Sequence, residues 1–167
     1  TKKQFFKAVS SVEPIGQIPI PDEKTWLHSI VPGVAEGELI GGNLTLICAT
    51  LGTPYQIDTQ DKILMIEEAY TEPWIFDHMI SHLRNAGLLK VAKGVMVSEC
   101  HECVPAKHNP GYYSDRNLEE ILEYYLKPLK IPVLYGLPLG HTKDMATLPL
   151  GVKARLDADK KQFTILE

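Results

Sequence analysis

No apolar run in this chain approaches the ~18 residues that a membrane-spanning helix requires, so no stretch of it reads as a transmembrane segment. Clusters of lysine or arginine are also missing. With 17 basic against 21 acidic residues, a net charge of −4 and a pI near 5.9, the composition argues against a nucleic-acid partner. Cysteine is scarce. Three is an odd number and too few for a disulfide framework, which points to a reducing cytoplasm. No Gly-x-Ser-x-Gly elbow or similar strained turn occurs. The six serines, at positions 10, 11, 29, 81, 98 and 114, read as caps, helix faces or loop positions. There is no internal repeat and no low-complexity tract. Thr1-Lys-Lys-Gln has no signal-type apolar core behind it and no initiating Met before it. The expectation is a cut piece of something longer, or a processed product.

What is present is an ordinary globular composition. Hydrophobic residues are 44% of 167, enough for one domain with a real core. Residues 2–11 read as a short helix with Phe5, Phe6 and Val9 on one face. Glu13 to Pro32 holds Pro14, Pro19, Pro21 and Pro32, so it reads as an extended arm and not a helix. Val34 to Ile40 alternates like a strand that Gly41-Gly42 breaks. Asn43 is placed to cap a helix through Leu44, Leu46, Ile47 and Leu51, ended by Gly52 and Pro54. Lys62 to Ile66 is an apolar strand running into Glu67-Glu68. Pro73 opens a helix with Ile75, Met79, Ile80 and Leu83 as its stripe, closed by Gly87. Val91 to Val97 reads as a strand interrupted by Gly94, and Ser98 to Tyr113 as a loop. Ser114 or Asn117 caps the next helix, and Asn117 has Glu120 at capping-box distance. Leu118, Ile121, Leu122, Tyr125, Leu126 and Leu129 keep its helical period. Ile131 to Leu137 is a buried strand, and Val152 to Glu167 a hairpin turning at Asp157 to Lys161. Strands and helices intermix, so the class is α/β, a mixed sheet with flanking helices and a C-terminal β-hairpin.

Two positions stand out chemically. Gly136-Leu-Pro-Leu-Gly-His141 ends a buried strand with Gly and Pro, the way a scaffold delivers one imidazole to a surface loop. Glu67 ends another apolar strand, and ligands collect outside the carboxyl ends of such strands. An imidazole beside that carboxylate would be an oriented general base. Glu68 must face the other way while the strand persists. The bland alternative for Glu67 is a solvated strand end.

Other constellations are weaker. Cys100-His-Glu-Cys103, with His108 nearby, has the spacing of half a zinc knuckle or of a redox pair, but a second Cys pair is absent. His78 and His82 are four apart on a helix without the rest of a metal motif. Gly33, Gly37, Gly41 and Gly42 match no phosphate-binding fingerprint, and turns and close packing account for them.

In series, Gly41-Gly42-Asn43-Leu44, Gly52-Thr53-Pro54-Tyr55, Lys62-Ile-Leu-Met-Ile-Glu67-Glu68, Ala86-Gly87-Leu88, Ile131-Pro132-Val133, Gly136-Leu-Pro-Leu-Gly-His141 and Leu148-Pro149-Leu150-Gly151 resemble the C-terminal domain of the LD-carboxypeptidases. That family comprises the muramoyltetrapeptide carboxypeptidases and the microcin C immunity proteins. The resemblance covers residues 34–167. It implies a swivelling β/β/α-type domain, with residues 1–33 as a linker helix and arm from a missing N-terminal domain. It also implies a Ser-His-Glu triad split between the two domains, with Glu67 and His141 supplied here and the Ser by the other. Glu68 stands where the family more often has Asp. The implied activity is hydrolysis of the amide bond to a C-terminal D-amino acid in murein peptides, in peptidoglycan recycling, by a cytoplasmic serine carboxypeptidase that is often a homodimer. No cofactor or metal is implied, and this piece alone is expected to be inactive. The rival substrates are aminoacyl-nucleotide conjugates of the microcin type. A non-catalytic module binding metal through Cys100, His101, Cys103 and His108 is the rival from another class.

Overall fold

A computed structural model describes residues 2–21, 26–105 and 116–167. In chain order the elements are α1 (Lys2–Ser10), β1 (Gly16–Gln17), β2 (His28–Val31), β3 (Val34–Asn43), α2 (Leu44–Thr50), β4 (Ile63–Glu67), α3 (Pro73–Asn85), α4 (Leu88–Val91), β5 (Gly94–Ser98), α5 (Leu118–Leu126), a 3-10 turn (Lys127–Leu129), β6 (Val133–Leu137), β7 (Lys153–Asp157) and β8 (Gln162–Ile165).

The strands form one mixed sheet in the order β1-β8-β7-β3-β4-β5-β6-β2. Strand β3 holds it together. Its first half, Val34 to Glu38, pairs antiparallel with β7. Its second half, Leu39 to Asn43, pairs parallel with β4. Parallel pairing continues through β5 and β6, and their connections carry the helices, as parallel strands require. Side chains alternate across the sheet. Leu64, Ile66, Val95, Val97, Val133 and Tyr135 meet the helices, which bring Phe76, Ile80, Leu83, Ile121 and Leu122. Ile63, Met96, Leu134 and Leu137 face the other way and meet Leu156, Phe163 and Ile18. The hairpin β7–β8 thus covers the face that the helices leave open.

Several local expectations change. Gly41-Gly42 does not break the strand, because β3 runs on to Asn43. A Cβ at Gly41 would collide with the Met65 carbonyl, so this glycine lets β3 approach β4 closely. Val91 ends the helical turn α4, and β5 begins only at Gly94, where a Cβ would crowd Ala35, Leu156 and Pro132. On α3 the fully buried positions are Pro73, Phe76, Ile80 and Leu83, while Ile75 and Met79 are half-buried. Two described stretches of the Pro-rich arm are strands laid on the sheet. Gly16–Gln17 pairs with β8 at one edge and His28–Val31 with β6 at the other. Helix α1 buries no residue, and Phe5, Phe6 and Val9 stay exposed.

The cap chemistry holds as expected. Asn43 Oδ1 accepts from the Leu46 N–H at the start of α2. Asn117 and Glu120 form a reciprocal capping box on α5. Ser114, the alternative cap, lies outside the described residues. Among the described residues, no helix is long and apolar enough to cross a membrane.

Candidate active site

The site forms where β4 ends. Glu67 is its last residue, and alternation places it on the face of Ile63 and Met65, away from the helices. In the parallel register Glu67 lies opposite Asn43, the last residue of β3. Asn43 therefore has two tasks. Its Oδ1 caps α2, and its Nδ2 donates to Glu67 Oε2 at 3.0 Å and to Glu68 Oε1 at 3.4 Å.

His141 arrives from the loop after β6. Pro138 and Ala146 close that loop with a backbone bond at 2.8 Å, and the Thr142 hydroxyl donates to the Asp144 carbonyl. His141 Nδ1 lies 2.9 Å from Glu67 Oε1, across 74 positions of sequence. A carboxylate accepts here, so in the neutral ring Nδ1 carries the hydrogen and Nε2 the lone pair. The environments are unequal: the Glu67 side chain is 11% exposed and the His141 side chain 57%. A sheltered acid thus holds a largely exposed imidazole.

The neighbour of His141 makes the contact possible. Gly140 has φ +76°, and a Cβ there would run into the Glu67 carboxylate, 2.5 Å from its Cγ. Only a residue without a side chain lets the loop backbone lie against the acid. Beside it opens a pocket of about 270 Å³ lined by Met65, Leu139, Ala146 and Leu148, with Asn43 and Glu67 at its polar end.

Glu68 faces the other way, as alternation requires, and serves the fold. It is buried and accepts from the Thr45 N–H and hydroxyl at 2.9 and 2.8 Å. It also accepts from the Ala69 N–H and the Thr71 hydroxyl. One carboxylate therefore ties the start of α2 to the segment leaving β4. Tyr70, within that segment, stands edge-on to His141 at 6.0 Å and to His101 at 5.4 Å.

The bridging amide of Asn43, the clamp at Glu68, the opening at Gly140 and the flanking ring of Tyr70 were not visible as site features in the sequence. The Gly-Gly-Asn run before a helix was the only available signal, and it read fully as a cap. No described serine is hydrogen-bonded to His141. Ser98, for example, is buried against Cys100. The group of possible metal ligands among the described residues is His28, Glu119 and Glu123, not the cysteine motif. His108 lies outside those residues. His78 and His82 are exposed on α3.

The chain matches the LD-carboxypeptidase C-terminal domain over residues 36–156. It belongs to the LD-carboxypeptidase family. A relative named "Probable murein peptide carboxypeptidase", from Bacillus subtilis (strain 168), is 40% identical over 144 residues, covering 86% of this chain and 44% of the relative. The microcin C7 self-immunity protein MccF of Escherichia coli is 30% identical over 138 residues, covering 81% of this chain and 38% of MccF. The chain thus spans about half the length of the curated relatives it matches. Among solved structures, apo MccF superposes with TM-score 0.83 at 26% identity, over 100% of this chain and 54% of MccF. Muramoyltetrapeptide carboxypeptidase from Oxalobacter formigenes gives 0.77 at 29% identity, over 100% and 54%. The mixed sheet with flanking helices is this LD-carboxypeptidase domain architecture.

Proposed function

We propose that this LD-carboxypeptidase domain supplies the acid and the base of a Ser-His-Glu triad, in an enzyme that hydrolyses the amide bond to a C-terminal D-amino acid of murein peptides. The observation that carries the reading is the 2.9 Å contact of His141 Nδ1 with Glu67 Oε1, on a sheltered acid and a largely exposed imidazole. The serine comes from a domain ahead of this one, and residues 1–33 lead in from it. The setting in the same proposal is cytoplasmic peptidoglycan recycling by a homodimer.

The geometry supports the following division of labour. His141 Nε2 takes the serine proton as the oxygen attacks the peptide carbonyl. It returns that proton to the departing amine, and then activates the water that releases the acyl group. Glu67 holds the tautomer that leaves Nε2 basic, and stabilises the ring once it is cationic. The small apolar wall of Met65, Leu139, Ala146 and Leu148 suits a short alkyl side chain next to the scissile bond.

The test uses the intact enzyme with a murein tetrapeptide, following release of the terminal D-residue. Glu67→Ala and His141→Ala should each lower kcat roughly ten-thousand-fold while the fold persists. Near-normal turnover by either variant refutes the assignment. The 167-residue chain alone should show no hydrolysis, since neither residue is the nucleophile.

A second substrate reading rests on the closer backbone likeness to MccF. Solved MccF complexes hold glutamyl sulfamoyl guanosine and aspartyl sulfamoyl adenosine. On that reading the substrate is an aminoacyl-nucleotide conjugate, and the same variants assayed on it in parallel distinguish the two.

A further inference from the structure

One motif is not used by the site: Cys100-His-Glu-Cys103. Its two ends are folded together. The Cys103 N–H donates to the Cys100 carbonyl at 3.3 Å, closing a four-residue turn with Glu102 at φ +52°. The ends of such a turn lie within about 7 Å, close to the Cα separation a disulfide spans. Both thiols are free and buried. They also line one cavity of about 610 Å³, together with Trp26, Tyr135 and Arg116, wide enough for a small oxidant to enter.

We propose that Cys100 and Cys103 form an oxidisable dithiol, a modification site at which a small hydroperoxide joins the two sulfurs in an intrachain disulfide. Cys103 is the attacking thiol. The hydrogen bond from Cys100 and a further one from the Thr71 N–H hold it below the usual thiol range, against the opposing effect of burial. The same contact, together with burial, pushes Cys100 up, so it keeps its proton and waits.

The chemistry balances. The Cys103 thiolate attacks one peroxide oxygen, forming the S–O bond of a sulfenic acid. The O–O bond breaks, and the alkoxide or hydroxide leaves with a proton. The Cys100 sulfur, losing its proton, then attacks Cys103, the S–O bond breaks and water departs. Two thiols are oxidised, and one hydroperoxide is reduced to its alcohol and water. The third cysteine, Cys48, is the internal control. Its thiol donates to the Met79 carbonyl at 3.4 Å, and burial with the charge of Glu68 pushes it up to about 11.

The turn is also tied to the LD-carboxypeptidase site. Its His101 carbonyl accepts from the Tyr70 N–H at 2.9 Å, and the Tyr70 ring is edge-on to both His101 and His141.

The test treats the 167-residue chain with hydrogen peroxide, quenches with catalase, alkylates and maps peptides by mass. Expected is a peptide joining Cys100 to Cys103, about 2 Da lighter than its reduced form, with Cys48 alkylated in the same molecules and dithiothreitol reversing the change. Thiolate fraction and nucleophilicity oppose each other, and together they make Cys103 at least about tenfold faster than Cys48. In Cys100→Ser the oxidation should stop at a dimedone-trappable sulfenic acid on Cys103. In Cys103→Ser the fast phase should be lost. Cys48 reacting as fast as Cys103 overturns the proposal. So do intermolecular disulfides as the main product, or sulfinic acid at Cys103 with Cys100 still free.

Discussion

Substituting alanine for Gly140 isolates the contact on which the candidate site depends. An added Cβ would lie 2.5 Å from Glu67 Cγ and 2.6 Å from Cδ, closer than side-chain atoms come. Glu67 is not free to yield, because Asn43 and His141 hold its two oxygens. Two costs add. Alanine at φ +76° loses roughly 1–2 kcal/mol in backbone energy. Displacing the carboxylate or the loop loses roughly another 1–3 kcal/mol in overpacking and broken hydrogen bonds. Gly151 provides the control, since its φ is +77° and a Cβ there meets nothing within 4 Å. Gly151→Ala therefore carries the backbone cost alone. At ~3 °C per kcal/mol for a chain of this size, Gly151→Ala should lower Tm by about 4 °C and Gly140→Ala by about 10 °C. A second readout separates strain from contact: the His141 Nδ1–H resonance should survive in Gly151→Ala and vanish in Gly140→Ala. Equal falls in Tm, with that resonance kept in both variants, would refute the reasoning.

The other expectations concern the carboxylates and the isolated thiol. Asn43→Asp keeps an oxygen for the helix cap but turns a third carboxylate toward Glu67 and Glu68. It should cost about 2–4 kcal/mol at neutral pH. The cost should be read as a lower urea midpoint for Asn43→Asp than for the parent, and equal midpoints would refute it. Glu68→Ala leaves the part-buried donors of Thr45, Ala69 and Thr71 without their acceptor and should cost about 1–2 kcal/mol in urea denaturation. Glu68→Gln should recover less than half of that, because its amide sets a donor against donors. Cys48, with its thiol pushed up to about 11, stays protonated in mild alkali. Its alkylation in the folded chain should be slow near pH 8 and climb toward pH 11, and urea should abolish the difference.

How much of this was legible in the residues depends on the range of the interaction that decides each feature. Asn117 and Glu120 announce their helix because a capping box is complete within four residues. The run from Lys62 to Glu67 reads as a strand because burial on both faces demands continuous apolar side chains. The same reasoning misplaced the break at Gly41-Gly42, since a glycine that ends a strand and one that admits a neighbouring strand look alike until Met65 lies alongside. Phe76 was missed as a core residue on α3 because its partners, on β4 and α5, are supplied by distant parts of the chain.

Local chemistry, then, was enough to establish the α/β class, the caps, the C-terminal hairpin and a pair of candidate residues, for backbone preference and side-chain period act over a few positions. Whether the acid at 67 meets the imidazole at 141 was decided only in three dimensions. That meeting needs β3, β4 and β6 ordered in one sheet, Asn43 brought opposite Glu67, and a loop free of side-chain bulk at Gly140. Each condition arises from pairing and packing between segments dozens of residues apart, which no local pattern records.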